Sequence, residues 1–294
     1  MKYKIIIVLI SFCGLFSCQS SKYGVEFSPE TISICTFNVE WLGDGIQDNK
    51  DRATWDYKNI AKVLSITNAD IIAMQEIENE KAILKVLEYL DGYKYYVAEG
   101  YGKQNLAILY NSNIDLKVVD IYKPLIVEEN RTRPGLLVYA KKGNFDFFLM
   151  NVHLKSTSSY DNTEELRQKS YELRQQQAMV MNQFLDSILT HQKDRDIIFV
   201  GDMNDNPNRK NSNIKFFADD PKVVFLTSNL RSCKNPYWDN IDHIAITTNT
   251  AQRLIKSSIR QINLYELFKQ SNAQQISDHC PVVISFDIIM PDND

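Results

Sequence analysis

Ile197-Ile198-Phe199-Val200-Gly201-Asp202-Met203-Asn204-Asp205 is an apolar run that stops at a glycine and turns at once acidic and amide-rich. Its first half predicts a short buried strand. Its second half puts a carboxylate and an amide at the strand's end, where loops meet over rigid scaffolding and ligands gather. The same form recurs along the chain. Ile32 to Val39 closes on Asn38-Val39-Glu40-Trp41, and the run Ala69 to Met74 ends in Gln75-Glu76. Phe145 to Leu154 carries Asn151-Val152-His153 at its end, Ile241 to Ile246 begins Ile241-Asp242-His243-Ile244, and Ser277-Asp278-His279-Cys280-Pro281 stands just before Val282 to Ile288.

Between these runs, helical periodicity is predicted over Trp55 to Ile66, Glu80 to Leu90 and the long Gly- and Pro-free stretch Glu164 to Leu189. Further strands are predicted at Leu106 to Tyr110, Leu116 to Tyr122, Leu136 to Ala140 and Val223 to Leu226. Helices alternate with strands early and strands follow strands in the middle, which points to an α/β architecture with mixed sheets. Each polar end has a plain structural reading by itself: Glu76 as a solvated carboxylate, Asp202 as a turn cap, His153 or His279 as a satisfied core histidine. Six together point to chemistry.

The 294 residues are 44% hydrophobic and 24% charged, ample for one core, and no linker or internal repeat divides them. Lys2 and Lys4 precede an uncharged run from Ile5 to Ser17, too short to span a bilayer and suited to a signal peptide. Leu15-Phe16-Ser17-Cys18 resembles a bacterial lipobox, which makes Cys18 the lipidated first residue of an exported, envelope-anchored protein. The expected organisation is a leader over 1–17, a tether over 18–30 and one catalytic domain over 31–290. Cys35, Cys233 and Cys280 lack metal-ligand spacing and permit one disulfide without naming its partners. The net charge is −4, two units lower once the leader is removed. That argues against a binder that works by broad phosphate neutralisation, though not against an enzyme whose acidic pocket holds a cation.

In order, Asn38, Gln75-Glu76, Asn151-Val152-His153-Leu154, Gly201-Asp202-Met203-Asn204, Ile241-Asp242-His243-Ile244 and Ser277-Asp278-His279-Cys280-Pro281-Val282 resemble the motif series of the DNase I-like endonuclease/exonuclease/phosphatase superfamily. Pancreatic deoxyribonuclease, abasic-site endonucleases, neutral sphingomyelinases and inositol-polyphosphate 5-phosphatases belong to it. The resemblance covers nearly all of the chain after the tether. It implies a four-layer sandwich, two mixed sheets face to face with helices outside, and a divalent cation: Mg²⁺, with Mn²⁺ or Ca²⁺ as alternatives. By the same resemblance Glu76 is the principal metal ligand, with Asn38 and Asp278 as direct or water-mediated contacts. Asp242 orients His279 as the base for an attacking water, and Asp202 and Asn204 position that water or the phosphoryl group. His153 is a phosphate donor or an acid to the leaving group, and Arg133 and Asn151 contact substrate. Arg174, His191 and His243 read as structural.

Such a site hydrolyses a phosphoester, and the surrounding loops choose which. A nucleic acid is the expected partner, cut by an exported endonuclease; no protein partner is implied, and a monomer is expected. A sphingomyelinase-like or inositol-phosphate-type phosphoesterase is the alternative, and a non-catalytic surface-binding lipoprotein is the reading from another class.

Overall fold

Successive side chains of β1 (Thr31–Leu42) enter two different cores. Ile32 and Ile34 join one apolar cluster, while Cys35, Phe37 and Val39 join another. A strand buried on both faces needs a layer on each side, and the rest of the chain supplies them. The computed structural model describes residues 22–292, so the leader, Cys18 and the first part of the tether lie outside the described residues.

After β1 come α1 (Thr54–Thr67), β2 (Ile71–Ile77), α2 (Glu80–Leu87), β3 (Tyr93–Ala98), β4 (Asn105–Asn111) and β5 (Asp115–Tyr122). The middle holds β6 (Gly135–Lys142), β7 (Phe145–His153), α3 (Glu164–His191), β8 (Ile197–Asp202), α4 (Lys215–Ala218) and β9 (Val223–Phe225). The chain closes with β10 (Asp242–Thr247), β11 (Arg260–Gln261), α5 (Leu264–Leu267), α6 (Gln270–Ile276) and β12 (Val282–Asp287). They form two six-stranded mixed sheets, ordered β11-β12-β1-β2-β4-β3 and β5-β6-β7-β8-β10-β9. β1–β2 and β7–β8 are the parallel pairs, and the other pairings are antiparallel.

Three apolar clusters separate four layers, as the α/β four-layer sandwich expectation required. One lies between the sheets, one between the first sheet and α1, α2 and α6, and one between the second sheet and α3 and α4. Local chemistry sets the helix ends. Thr163 accepts a hydrogen bond from Leu166 N to start α3, Asn79 accepts from Ala82 N to start α2, and Asn68 closes α1 with a left-handed φ of 48°.

Five elements were not anticipated: β3 and β11 are edge strands of half-exposed residues, and α4, α5 and α6 are helices of four, four and seven residues, too short to carry a strong period. Cys233 and Cys280 form a disulfide with Cα atoms 6.2 Å apart, and Cys35 stays as a free thiol in the helix-side core. No described helix is long and apolar enough to cross a membrane.

Candidate active site

The alternation that builds the inter-sheet core also builds the site. In β7, Phe145, Phe147 and Leu149 face the opposite sheet, so Asn151 and His153 continue on the same face. In β8, Ile198 and Val200 lead to Asp202; in β10, Ile244 and Ile246 share their face with Asp242; in β1, Ile32 and Ile34 lead to Thr36 and Asn38. Apolar side chains fill the middle of the sandwich, and polar ones of the same parity crown one end.

Glu76 breaks this rule. Its parity is that of Ile72 and Met74, which pack under the helices. The register against β4 slips between Met74 and Ile77, and Glu76 takes a left-handed φ of 63°. That bulge turns the carboxylate into the cleft, where Oε1 accepts from Asn38 Nδ2 at 3.1 Å and Oε2 from Trp41 N at 3.1 Å. β1 slips too, between Asn38 and Leu42, with φ of 51° at Glu40 and 57° at Trp41. Left-handed non-glycine residues are costly and cluster where function over-determines the backbone.

Asn38 Nδ2 also donates to Asp202 Oδ2 at 3.0 Å, so one amide ties the carboxylates of the two sheets together. Asp202 Oδ2 lies 3.5 Å from His153 Nε2 and 3.9 Å from His279 Nε2. Asp242 Oδ2 holds His279 Nδ1 at 2.8 Å, while Asp242 Oδ1 is buried without a hydrogen-bond partner. Asp278 Oδ1 is 3.7 Å from His279 Nε2, and its other oxygen accepts from Lys234 at 3.1 Å.

This concentration of acid shapes the charge states. Burial pushes the Asp202 carboxyl up to about 7, against the pull of His279 and with the Asp242 charge adding to the rise. Burial draws His279 down, but the surrounding carboxylates, Asp242 and Asp202 foremost, outweigh it and hold the imidazole well above its ordinary value. His153 is the opposite case: burial, helped by Arg133, His279 and Lys155, holds it well below, so its ring is neutral. Its Nδ1 is buried without a partner.

The donor set suits a hard divalent cation. Its oxygens are carboxylate and amide, burial and the Asp242 charge hold the Asp202 carboxyl up, a rise that a cation would oppose, and ligand atoms of Asp202, Asp242 and His279 all lie within 4.8 Å of one another. Of the three residues expected at the metal, Asn38 and Glu76 meet, but Asn38 presents its amide hydrogens to Glu76 and Asp202 while its oxygen accepts from Glu40 N at 2.9 Å. Asp278 forms no hydrogen bond or ion pair with Glu76 or Asn38 among the described residues: one oxygen lies 3.7 Å from His279 Nε2 and the other is paired with Lys234. Glu76 is therefore the residue best placed to hold a cation.

Asn151 needs correction as a substrate contact. It is fully buried beneath the site, with Oδ1 accepting from Gln75 Nε2 at 2.8 Å and Nδ2 donating to Met74 O and Ala107 O at 3.0 and 3.1 Å. Its amide is spent on tying the two sheets together. Arg133 lies just before β6, whose Leu136 pairs with Asn151, so it borders the end of β7; the charges of Glu76 and Asp202 reach its guanidinium. Asn204 donates to Leu154 O at 3.0 Å beside the site. Lys155 is drawn to Asp161 and Ser156 O. His243 is buried under the second sheet between Thr227 and Asp205 O, and Arg174 is buried against Asp205, Lys155 O and Thr157. Residues 50 and 52 and the cavity-lining loop 231–240 carried no sequence signal, because single cations and a Trp in a polar loop are common on any surface.

Two cavities flank the centre. One of about 370 Å³ is lined by Asn204, Lys234, Trp238, Asp242, Asp278 and His279 among others. A second, of about 360 Å³, is lined by residues that include Gly100, Tyr101, Ile126, Asn130, Thr132 and Arg133.

Solved structures share this fold at low identity. TDP2 of D. rerio complexed with single strand DNA product superposes with a TM-score of 0.61 at 16% identity, covering 87% of this chain and 99% of that one. A mannosyl-6-phosphatase from Bacteroides thetaiotaomicron gives 0.56 at 15%, covering 86% and 98%, and the human Nocturnin catalytic domain with bound sulfate anion gives 0.57 at 17%, covering 90% and 96%. No curated protein matches the sequence significantly. The sequence matches the Endonuclease/Exonuclease/phosphatase family over residues 35–279. Its members are hydrolases of phosphoester bonds that use divalent metals, and this chain belongs to that family.

Proposed function

We propose that the protein is a divalent-metal phosphodiesterase that cuts nucleic-acid chains internally, exported and held at the envelope by lipid on Cys18. The observation that carries the reading is where the centre sits in the strand order. In the second sheet the chain entering β6 brings Arg133, and β7, β8 and β10 then bring His153, Asp202 and Asp242 side by side. In the first sheet β12 follows His279, β1 carries Asn38, β2 carries Glu76, and β4 follows the Gly100–Gln104 loop. Both sheets thus run from one cavity, through the centre, to the other. Four neighbouring strand ends span about 14 Å at ~4.8 Å per strand. A phosphodiester with a bulky group on each oxygen fits this plan. A phosphomonoester leaves one cavity without work.

Among the chain's own groups, His279 takes the proton of the attacking water at Nε2 while Asp242 fixes its tautomer through Nδ1. Neutral His153 donates from Nε2 to the phosphoryl group, and Arg133 offsets its charge from the flank. Glu76 would hold Mg²⁺ or a similar ion, which would supply polarisation of a phosphoryl oxygen and positive charge against the carboxylates that raise His279. The Cys233–Cys280 bridge supports export, since disulfides persist in oxidising compartments.

The test is covalently closed circular DNA and RNA, which have no ends. Each is incubated with Mg²⁺, Mn²⁺ or EDTA, beside His279→Ala and Glu76→Ala. Metal-dependent opening of circles that both variants lose is the expected result. Trimming of linear strands with circles untouched would overturn the internal-cutting reading. Turnover of sphingomyelin or of phosphomonoesters alone would overturn the nucleic-acid reading.

A further inference from the structure

β1 and β12 pair from Thr31↔Asp287 as far as Thr36↔Val282, and then part. β1 runs on through Asn38 to Leu42, while the chain before β12 leaves through Ser277-Asp278-His279. Two halves of the site therefore sit on segments that no ladder joins. The gap is bridged from the irregular segment 49–53. Arg52 Nη2 donates to Val39 O and Glu40 O at 2.7 Å each and to Ile276 O at 3.1 Å, and Nη1 donates to Gln275 O. Lys50 Nζ donates to Glu40 Oε2 and Gln274 O at 2.6 Å each. The two cations thus cap the last carbonyls of α6, where positive charge is favoured, and at the same time grip the exit of β1.

We propose that Arg52, seconded by Lys50, is the positioning residue that sets Glu76 and His279 in place relative to each other. On the β1 side, it fixes the carbonyls just before and within the left-handed pair Glu40–Trp41, a conformation that persists only where neighbours enforce it. That pair aims Trp41 N at Glu76 Oε2, 3.1 Å away. On the α6 side, the held Ile276 leads directly into Ser277, whose hydroxyl donates to Asn38 O at 2.8 Å and accepts from His279 N at 3.0 Å. Asp278 N completes the link by donating to Glu40 Oε2 at 3.0 Å.

Arg52 bonds to no carboxylate of the site, yet a bond from each segment it clamps reaches Glu76 or His279. A planar fork can serve four carbonyls on two segments at once; an ammonium cannot. The position also tolerates a defect, because Arg52 Nε is buried without a partner. Burying a cation with an unmet donor costs stability, and the four carbonyl contacts of the clamp are the compensating interaction.

The test uses the full-length protein, a small activated diester such as bis(p-nitrophenyl) phosphate, and Arg52→Ala, Arg52→Lys and Lys50→Met. The kinetic arm rests on the phosphodiesterase reading, and hydrogen exchange of the metal-free protein does not. Arg52→Ala should lose about 100-fold in kcat with KM changed less than about threefold, because misplacement near 1 Å costs that much. Millimolar methylguanidinium should restore a large part of the loss, and Arg52→Lys should fall with the alanine variant. Exchange should quicken at residues 39–42 and 276–280 while β8 and β10 keep their protection. An unchanged kcat in Arg52→Ala, or a loss that follows melting temperature and ignores methylguanidinium, would overturn the proposal. Should Arg52→Ala fail to fold, Lys50→Met decides: a kcat loss at constant KM supports the clamp, and an unchanged kcat refutes it. If the wild type turns over no diester, unaltered exchange at both segments in Lys50→Met refutes it independently.

Discussion

A single methyl group at Gly201 should disable this site. Gly201 precedes Asp202 in β8 and lies beside Val152 of β7 in the parallel register, with φ of 143°. A Cβ built there would meet Val152 O at 1.9 Å, Val152 C at 2.8 Å and Val152 N at 3.0 Å. These are backbone atoms, so no side chain can swing aside. Restoring an ordinary contact of about 3.4 Å demands a local separation of about 1.5 Å between strands that ideally lie ~4.8 Å apart. The backbone strain of a non-glycine residue at this φ adds about 1–3 kcal/mol, and each ladder bond lost about 1 kcal/mol. Gly201→Ala should therefore cost about 3–5 kcal/mol, a large part of a stability of about 5–15 kcal/mol. The displaced strands carry His153 and Asp202, one residue along from the clash. Activity should fall by about 100-fold or more even in the folded fraction. Urea denaturation and single-turnover cleavage, normalised to folded protein, measure the two effects. A variant within about 1 kcal/mol and threefold of wild type would refute the claim that this close approach sets the site.

Asp242→Asn keeps the shape of the His279 partner but lets an amide N–H face Nδ1, which moves the ring proton to Nε2 and removes its basicity; kcat should fall about 10²–10⁴-fold, read in pH profiles with a small diester. His243 gives an acid-stability prediction. Burial lowers it to about 4, so below an unfolded value of about 6.5 the unfolded chain takes up a proton that the folded chain refuses. Its contribution is complete above about pH 6.5 and fades towards pH 4, by about 3 kcal/mol in all. Asp202, raised to about 7, contributes the opposite slope over the same window, so the measurement is the difference between wild type and His243→Gln in urea titrations at pH 7.5 and 5. A parallel pair of curves would count against the assignment. Reducing Cys233–Cys280 opens a loop of sequence separation 47 and should lower stability by about 4 kcal/mol on the chain-entropy account, seen as an earlier denaturation midpoint with reductant. An unmoved midpoint would show the bridge to be idle.

The sequence by itself determined the elements with strong periods and the polar ends of their strands. Period-two alternation and continuous apolar runs mark β1, β2, β7, β8 and β12, and the same parity that buries Ile198 and Val200 delivers Asp202. A pattern of this kind is local, so it survives without knowledge of the partner strand. Tertiary structure decided what depends on neighbours distant along the chain. Parity alone sends Glu76 under the helices, and only a bulge against β4 turns it into the cleft. Asn151 carries the right residue type at a strand end, yet Gln75 and two carbonyls of the other sheet consume its amide. Three cysteines left the pairing open until the fold brought Cys233 beside Cys280 and sealed Cys35 in the core. Arg52 is one cation among many until its fork is found across two segments more than two hundred residues apart in sequence. Periodicity is written in adjacent residues, whereas burial, charge state and hydrogen-bond partners are set by which segments the two sheets bring face to face.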